Sequence, residues 1–311
     1  MAHVTFIHGI ANKPAPDELR RIWLRALEDA VEPLSLSDAG VTTSMVYWAD
    51  LMYEEPIQDT SSFEGVLENT PAAVDGGGNA PMPVPANNAE ADFIAGLREE
   101  LTGLDDEQMT DVSPAVPATP GAALERIPLP WALKRPIMNA FLRDVHHYLF
   151  DTEFGPPGRP KVHIQQTIRK RFVDTVCNKE IEGPHVVVSH SMGTVIAYDC
   201  LKRVADCAQV DGLITIGCPL GLDEVQDKLQ PGWTRPAGYP SERLAKRWVN
   251  LFDRLDPVCG FDPELANDFQ FNGGKRVEDI AVQNSGAWRH SGTKYLAQPK
   301  FCQVLRAMLE I

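Results

Sequence analysis

His185-Val-Val-Val-Ser189-His-Ser191-Met-Gly193-Thr-Val-Ile-Ala197 is the segment on which the fold turns. Val186-Val187-Val188 is apolar without alternation, the pattern of a strand covered on both faces. From Met192 the spacing of Ile196, Ala197, Cys200, Leu201 and Val204 takes a helical period. Ser191 stands between the two at a tight turn, with small residues two places before (Ser189) and two after (Gly193). A strand-to-helix turn this sharp needs small residues at both places so that neighbouring backbones can approach. It would project the Ser191 Oγ past the sheet edge and aim a helix N-terminus at negative charge developing there.

The same rhythm extends in both directions. His3 to Ile7 reads as a strand, followed by Leu19, Ile22, Trp23, Ala26, Leu27 and Ala30 on one helical face. Thr43 to Trp48, Gly212 to Ile216, Trp248 to Phe252 and Val277 to Val282 are further strands. Ile164, Ile168, Phe172 and Val176 predict a helix, and a last one carries Phe301, Val304, Leu305, Met308 and Leu309, with Pro299 suited to its first turn. Strands alternating with helices predict an α/β fold: a mainly parallel sheet of about six strands with helices on both faces. No internal repeat interrupts it.

Residues 51–162 break the rhythm and read as a cap or lid inserted into a core made of residues 1–50 and 163–311. Thr70 to Asn88, with Gly76-Gly77-Gly78 and Pro81, Pro83 and Pro85, predicts a mobile loop, and Pro114 to Pro130 is a second Pro-rich stretch. Ile137, Met138, Phe141, Leu142, Val145, Tyr148 and Leu149 form one apolar helical stripe, which either packs on its own domain or lines a substrate cleft. Lys134, Arg135 and Arg143 beside aromatics leave open a transient membrane contact through this cap.

The 311 residues are 43% hydrophobic and 23% charged, enough apolar material for a sizeable core. A net charge of −14 disfavours nucleic acid and anionic lipid as partners. The six cysteines are scattered without a CxxC pair, so neither a zinc ribbon nor a disulfide framework is expected. His146, His147 and His163 lack carboxylates at ligand spacing, so no metal is expected, and no cofactor. With no signal-peptide pattern and no apolar run of ~18 residues, the expected location is the cytoplasm.

Ser189-His-Ser191-Met-Gly193 resembles the nucleophile elbow of the α/β-hydrolase superfamily, particularly its lipase and esterase branches, with serine in place of the usual first glycine. Three other segments carry the resemblance. His8-Gly9-Ile10 follows the first strand, Asp253-Arg-Leu-Asp256-Pro-Val258 follows the strand Arg247–Phe252, and Asn284-Ser-Gly-Ala-Trp-Arg-His290 follows the last strand. Thr215-Ile-Gly-Cys-Pro-Leu-Gly221 looks like a Gly-Ser-Pro segment common in lipase-like members. The order nucleophile, acid, base is that of α/β-hydrolases and not of the chymotrypsin or subtilisin arrangements.

The resemblance implies Ser191 as nucleophile, His290 as general base and acid, and Asp256 as the orienting acid, in preference to Asp253 or Asp262. It implies an oxyanion hole from the backbone N–H of Met192 and that of Ile10 or Gly9. His190, next to the nucleophile, is expected to point elsewhere, and His146 and His147 to lie on a helical surface. The implied activity is serine hydrolysis of carboxylic esters with lipid-like or other apolar acyl groups. Amidase, thioesterase and peptidase chemistry use the same residues, and the altered first glycine motivates an inactive, ligand-binding alternative. Oligomeric state is not legible in the sequence.

Overall fold

β-branched runs build the sheet and amphipathic helices cover it, as expected for strands that must bury both faces. In the computed structural model, residues 1–58, 60, 83–102, 131–177, 181–229, 237–259, 262–286 and 289–311 are described, with the backbone alone for 100–102 and 131–138. The Gly- and Pro-rich stretches 70–82 and 114–130, expected to be a mobile loop and a second Pro-rich segment, lie outside the described residues, as do the side chains of Lys134, Arg135, Ile137 and Met138.

Six strands form one sheet: β1 (His3–Ile7), β2 (Thr42–Val46), β3 (His185–His190), β4 (Val210–Ile216), β5 (Leu244–Phe252) and β6 (Val277–Ala281). Their spatial order is β6-β5-β4-β3-β1-β2, and every neighbouring pair is parallel. The chain is thus α/β, as its rhythm predicts. Two short antiparallel pairs, Glu153–Phe154 with Val162–His163 and Gln270–Phe271 with Gly274–Lys275, stand apart from it.

The helices are α1 (Pro16–Glu28), α2 (Asn88–Thr102), α3 (Trp131–Leu149), α4 (Ile164–Val176), α5 (Met192–Arg203), α6 (Asp223–Leu229), α7 (Gly292–Leu296) and α8 (Pro299–Leu309). Pro16 opens α1, Asp17 and Glu18 stand in its first turn and Arg25 in its last, all complementary to the helix dipole. Its buried face, Leu19, Trp23, Ala26 and Leu27, packs with α8 against Val4, Phe6, Val186, Val188, Ile214 and Ile216. The opposite face of the sheet, through Ile7, Val187, Leu213 and Trp248, packs on α4 and α5. Each such fully buried large side chain contributes roughly 1.5–3 kcal/mol.

Phe141, Leu142, Val145, Tyr148 and Leu149 of α3 join this second cluster. Of the two readings of that stripe, packing on the core accounts for the residues from 140 to 149. Buried polar links reinforce it: the Asp199 carboxylate of α5 accepts the Tyr148 hydroxyl at 2.7 Å and Arg169 Nε and Nη2 of α4 at 2.7 and 2.9 Å. His146, expected on a surface, is buried, with Nε2 2.9 Å from Glu90 Oε2 at the start of α2. That burial follows from α2, whose first turn covers the face of α3 that would otherwise meet solvent.

The strand order fixes where chemistry can occur. From β1 the chain turns to β2 on one side, while β3, β4, β5 and β6 follow on the other. α1 and α5 lie on opposite faces, which makes the ends of β1 and β3 the place where sheets of this kind form a ligand crevice. Ile7 pairs with Ser189 and His190 with Ile216, so the loops after β1, β3 and β4 emerge side by side at this crevice.

Candidate active site

Ser191 follows β3 directly and has φ 53° and ψ −129°, a conformation costing a non-glycine residue on the order of 1–3 kcal/mol. The strain is held by its neighbours. Ser191 N–H donates to Ile216 O at 3.0 Å, and the Thr194 N–H and hydroxyl both donate to Ser191 O. A Cβ at Gly193 would stand 2.7 Å from the carbonyl oxygens of both Ile7 and His8, so only glycine fits there. At the altered first position, Ser189 is fully buried and its hydroxyl donates to Ile214 O at 3.2 Å. The turn therefore accommodates the serine.

Three side chains meet at the crevice. The Ser191 hydroxyl lies 2.8 Å from His290 Nε2, and His290 Nδ1 lies 2.9 Å from both carboxylate oxygens of Asp256. With Nδ1 protonated toward Asp256, Nε2 is left to accept the Ser191 proton. All three are almost wholly buried, which strengthens every electrostatic contact among them. Burial alone would raise the Asp256 carboxyl. His290, the Val258 N–H and the Tyr295 hydroxyl outweigh that and hold it below the ordinary carboxylate range, so it stays ionised.

It is Asp256, not the neighbouring Asp253, that is placed on the imidazole. Asp253 Oδ2 instead accepts the Asn284 N–H at 2.7 Å and Arg289 Nη1 at 3.1 Å, while Asn284 Nδ2 donates to Arg289 O. It clamps the loop that carries His290. The carbonyl of Asp262 packs against Gly221.

Sequence reasoning missed Tyr295, Gly217 and the role of His190. The Tyr295 hydroxyl donates to Asp256 Oδ2 at 2.7 Å, and the only hint was its place in the helix after His290. Gly217, at φ +55°, lies under the imidazole and carboxylate: a Cβ there would be 3.0 Å from Asp256 Oδ2 and 3.1 Å from His290 Nδ1. His190 does not point away. Its ring centroid is 4.8 Å from that of His290 and its Nε2 donates to His290 O at 3.1 Å. Burial, with His290 and Lys13 nearby, depresses the His190 pKa far below its usual value and keeps that ring neutral.

The loop after β1 lies against the nucleophile. A Cβ on Gly9 would come within 2.5 Å of Ser191 Cβ and 3.1 Å of its Oγ. His8 organises this approach. Its Nε2 accepts the Trp48 N–H at 3.0 Å, which leaves the proton on Nδ1 to donate to Gly9 O at 2.8 Å. Burial, then Lys13, lowers His8 to a pKa of about 3, so the ring is neutral and its tautomer fixed. In a trans peptide the C=O and N–H point in opposite directions, so anchoring Gly9 O turns the Ile10 N–H away from His8. Met192 is the first residue of α5, where an N–H has no carbonyl one turn earlier to bond. These backbone groups, Met192 and Ile10 with Gly9 beside them, are the ones that the sequence resemblance would place in an oxyanion hole.

The five cysteines Cys200, Cys207, Cys218, Cys259 and Cys302 are buried and free, and Cys177 is half-buried and free. Among the described residues no group of three or more His, Cys, Asp or Glu side chains could hold a metal ion. No helix among them is long and apolar enough to cross a membrane. Arg143, counted in the sequence among basic residues facing a membrane, is buried and paired with Asp144.

No family model matches the chain, and no curated protein does. Among solved structures, acetyl xylan esterase 1 from Thermoanaerobacterium sp. JW/SL YS485 superposes with a TM-score of 0.34 at 14% identity, covering 100% of this chain and 74% of that one. Similarity this low carries no weight for activity, which has to be argued from the crevice itself.

Proposed function

We propose that the chain is a serine hydrolase of the α/β-hydrolase type that cleaves carboxylic esters. The observation that carries this is the continuous line Ser191 Oγ to His290 Nε2 at 2.8 Å and His290 Nδ1 to Asp256 at 2.9 Å, set on a strained strand-to-helix turn. In the proposed reaction Ser191 Oγ attacks the ester carbonyl carbon while its proton passes to His290 Nε2. The carbonyl becomes an oxyanion held by the N–H groups of Met192 and Ile10. Collapse breaks the bond to the alcohol oxygen, which leaves with the proton from His290, and Ser191 keeps the acyl group. Water, deprotonated by His290, then attacks the acyl-enzyme, and the bond to Ser191 Oγ breaks as His290 returns that proton to Oγ, which releases the acid. Asp256 remains ionised throughout and stabilises the imidazolium.

Apolar acyl groups are the proposed class. Ile10 and Ala11 after β1, Met192 at the elbow and Leu220 and Leu222 after β4 are buried members of the larger apolar cluster on the α4 and α5 face of the sheet. Apolar neighbours on the loops that flank Ser191 favour an alkyl chain over a charged group. A p-nitrophenyl ester series of increasing chain length tests both parts, with Ser191→Ala as control. The proposal predicts turnover that rises from acetate to longer chains and is abolished in the variant. Equal turnover by Ser191→Ala would remove the hydrolase reading, and a fall with chain length would remove the apolar one.

A further inference from the structure

We propose that Asp144, carried by α3 and far from Ser191 in sequence, is a positioning residue for the oxyanion donor Ile10. The inference rests on the hydrolase reading above. Asp144 Oδ2 accepts the N–H of Ala11 at 2.9 Å, in a contact where both residues are almost wholly buried. Ala11 is held at φ +68°, a left-handed conformation that an alanine leaves unless something fixes it. The other carboxylate oxygen, Oδ1, takes Arg143 Nε at 2.9 Å and Nη2 at 2.7 Å, and the Arg143 guanidinium lies 4.5 Å from the centre of the Tyr53 ring. Asp144 is therefore gripped from one side and grips the loop from the other.

The consequence for Ile10 is geometric. His8 fixes the peptide between Gly9 and Ile10 through its carbonyl, and Asp144 fixes the next peptide through its N–H. With two consecutive planar peptides pinned, both backbone dihedrals of Ile10 are set, and with them the direction of its N–H. Farther along, Ile57 N–H donates to Lys13 O at 2.9 Å and Asn12 Nδ2 to Glu55 O at 2.8 Å, which tie down the rest of the loop but not the Ile10 peptide. The segment between β2 and β3 thus shapes the transition-state site, besides covering the core.

The test compares two double variants. Arg143→Met with Asp144→Leu removes the acceptor without stranding a buried cation. Arg143→Met with Asp144→Asn keeps an acceptor oxygen. Rates are expressed per active site, counted by fluorophosphonate titration, so that misfolded protein does not enter. A misplaced oxyanion donor lowers kcat, and the Leu variant is expected to lose ~10- to 100-fold in kcat with KM little changed. A trifluoromethyl ketone, which forms a tetrahedral adduct on the serine, should weaken by the same factor. The Asn variant should stay within about fivefold of wild type.

Wild-type kcat per site in the Leu variant would overturn the proposal, as would equal losses in both. If the Leu variant does not fold, Arg143→Met with Asp144→Ala takes its place: it too removes the acceptor, the same ~10- to 100-fold loss of kcat is expected, and an unchanged kcat overturns the proposal. A wild type that neither hydrolyses esters nor labels would instead remove the hydrolase reading.

Discussion

The Tyr295 hydroxyl donates to Asp256 Oδ2 at 2.7 Å while accepting the Asp253 N–H at 3.0 Å, so one phenol ties the acid that faces His290 to the turn that carries it. Asp256 also accepts the Val258 N–H at 2.8 Å. Each carboxylate oxygen thus has a donor besides the imidazole, which resists rotation of the carboxylate away from His290. A hydrogen bond to a charged group contributes about 1.5–3 kcal/mol. Tyr295→Phe is therefore expected to lower kcat by roughly tenfold with KM within about twofold, because the lost contact positions the acid and touches no substrate. Steady-state kinetics with melting temperatures check it, and an unchanged kcat would show the phenol to be purely structural.

The two acids of one turn should separate by phenotype. Asp256→Asn is expected to lower kcat by on the order of 10³- to 10⁴-fold with the fold retained, because an amide favours the wrong imidazole tautomer. Asp253→Asn weakens a buried pair with Arg289 and should show mainly as lost stability of about 3 kcal/mol or more. Its rate per active site should fall less than about tenfold. Reversed phenotypes would exchange the roles of the two residues.

Two glycines of left-handed conformation offer a matched comparison. Gly217 has φ +55° and no room for a Cβ against Asp256 and His290, whereas Gly40 has φ +69° and nothing within 4 Å. Alanine at either position costs roughly 1 kcal/mol of backbone strain. Gly217→Ala should in addition displace the imidazole and reduce kcat by ~10²-fold, while Gly40→Ala leaves kcat unchanged. Equal kinetics in the two variants would contradict the close packing of Gly217 beneath His290.

Acid should destabilise the protein well above the carboxylate range. Burial, then further cations, lowers His8 to about 3, and burial, then His3, lowers His185 to about 4. A group whose folded pKa lies below its unfolded value of about 6.5 takes up a proton only on unfolding in between. Stability is therefore lost as pH falls from about 6.5 toward 4, by up to about 1.4 kcal/mol per pH unit for each such histidine. Asp256, depressed in the folded state, adds to the loss only below its ordinary carboxylate value. Urea melts at pH 7, 6 and 5 measure the slope, and His185→Gln, which keeps a side-chain partner for the Thr5 hydroxyl, should flatten it. A slope unaltered by that substitution would contradict the assignment.

Much of this arrangement was legible in the residues. Unalternating valines before Ser191 and the helical period after it pointed to the sheet, and the resemblance of the segments past each strand to the α/β-hydrolase pattern pointed to the three side chains. Those signals are local, and the strands do begin and end within a few residues of where propensity put them. What stayed hidden depends on tertiary neighbours. Ala11 gives no sign in the sequence of a left-handed backbone, and Asp144 lies in a segment with no readable relation to the first strand. His190 was misread because strand alternation predicts a face but not the loop that returns over it. His146 was misread because α2, which buries it, follows a stretch with no periodicity of its own.

The central claim is that Ser191 is an activated nucleophile. Treatment of the folded protein with a fluorophosphonate, followed by intact mass and peptide mapping, addresses it without any assumption about the natural ester. The account predicts one adduct per chain, with loss of fluoride, on the peptide containing Ser191, formed far more slowly after His290→Ala and absent after Ser191→Ala. A wild-type protein that stays unlabelled, or one labelled equally well after Ser191→Ala, would contradict it.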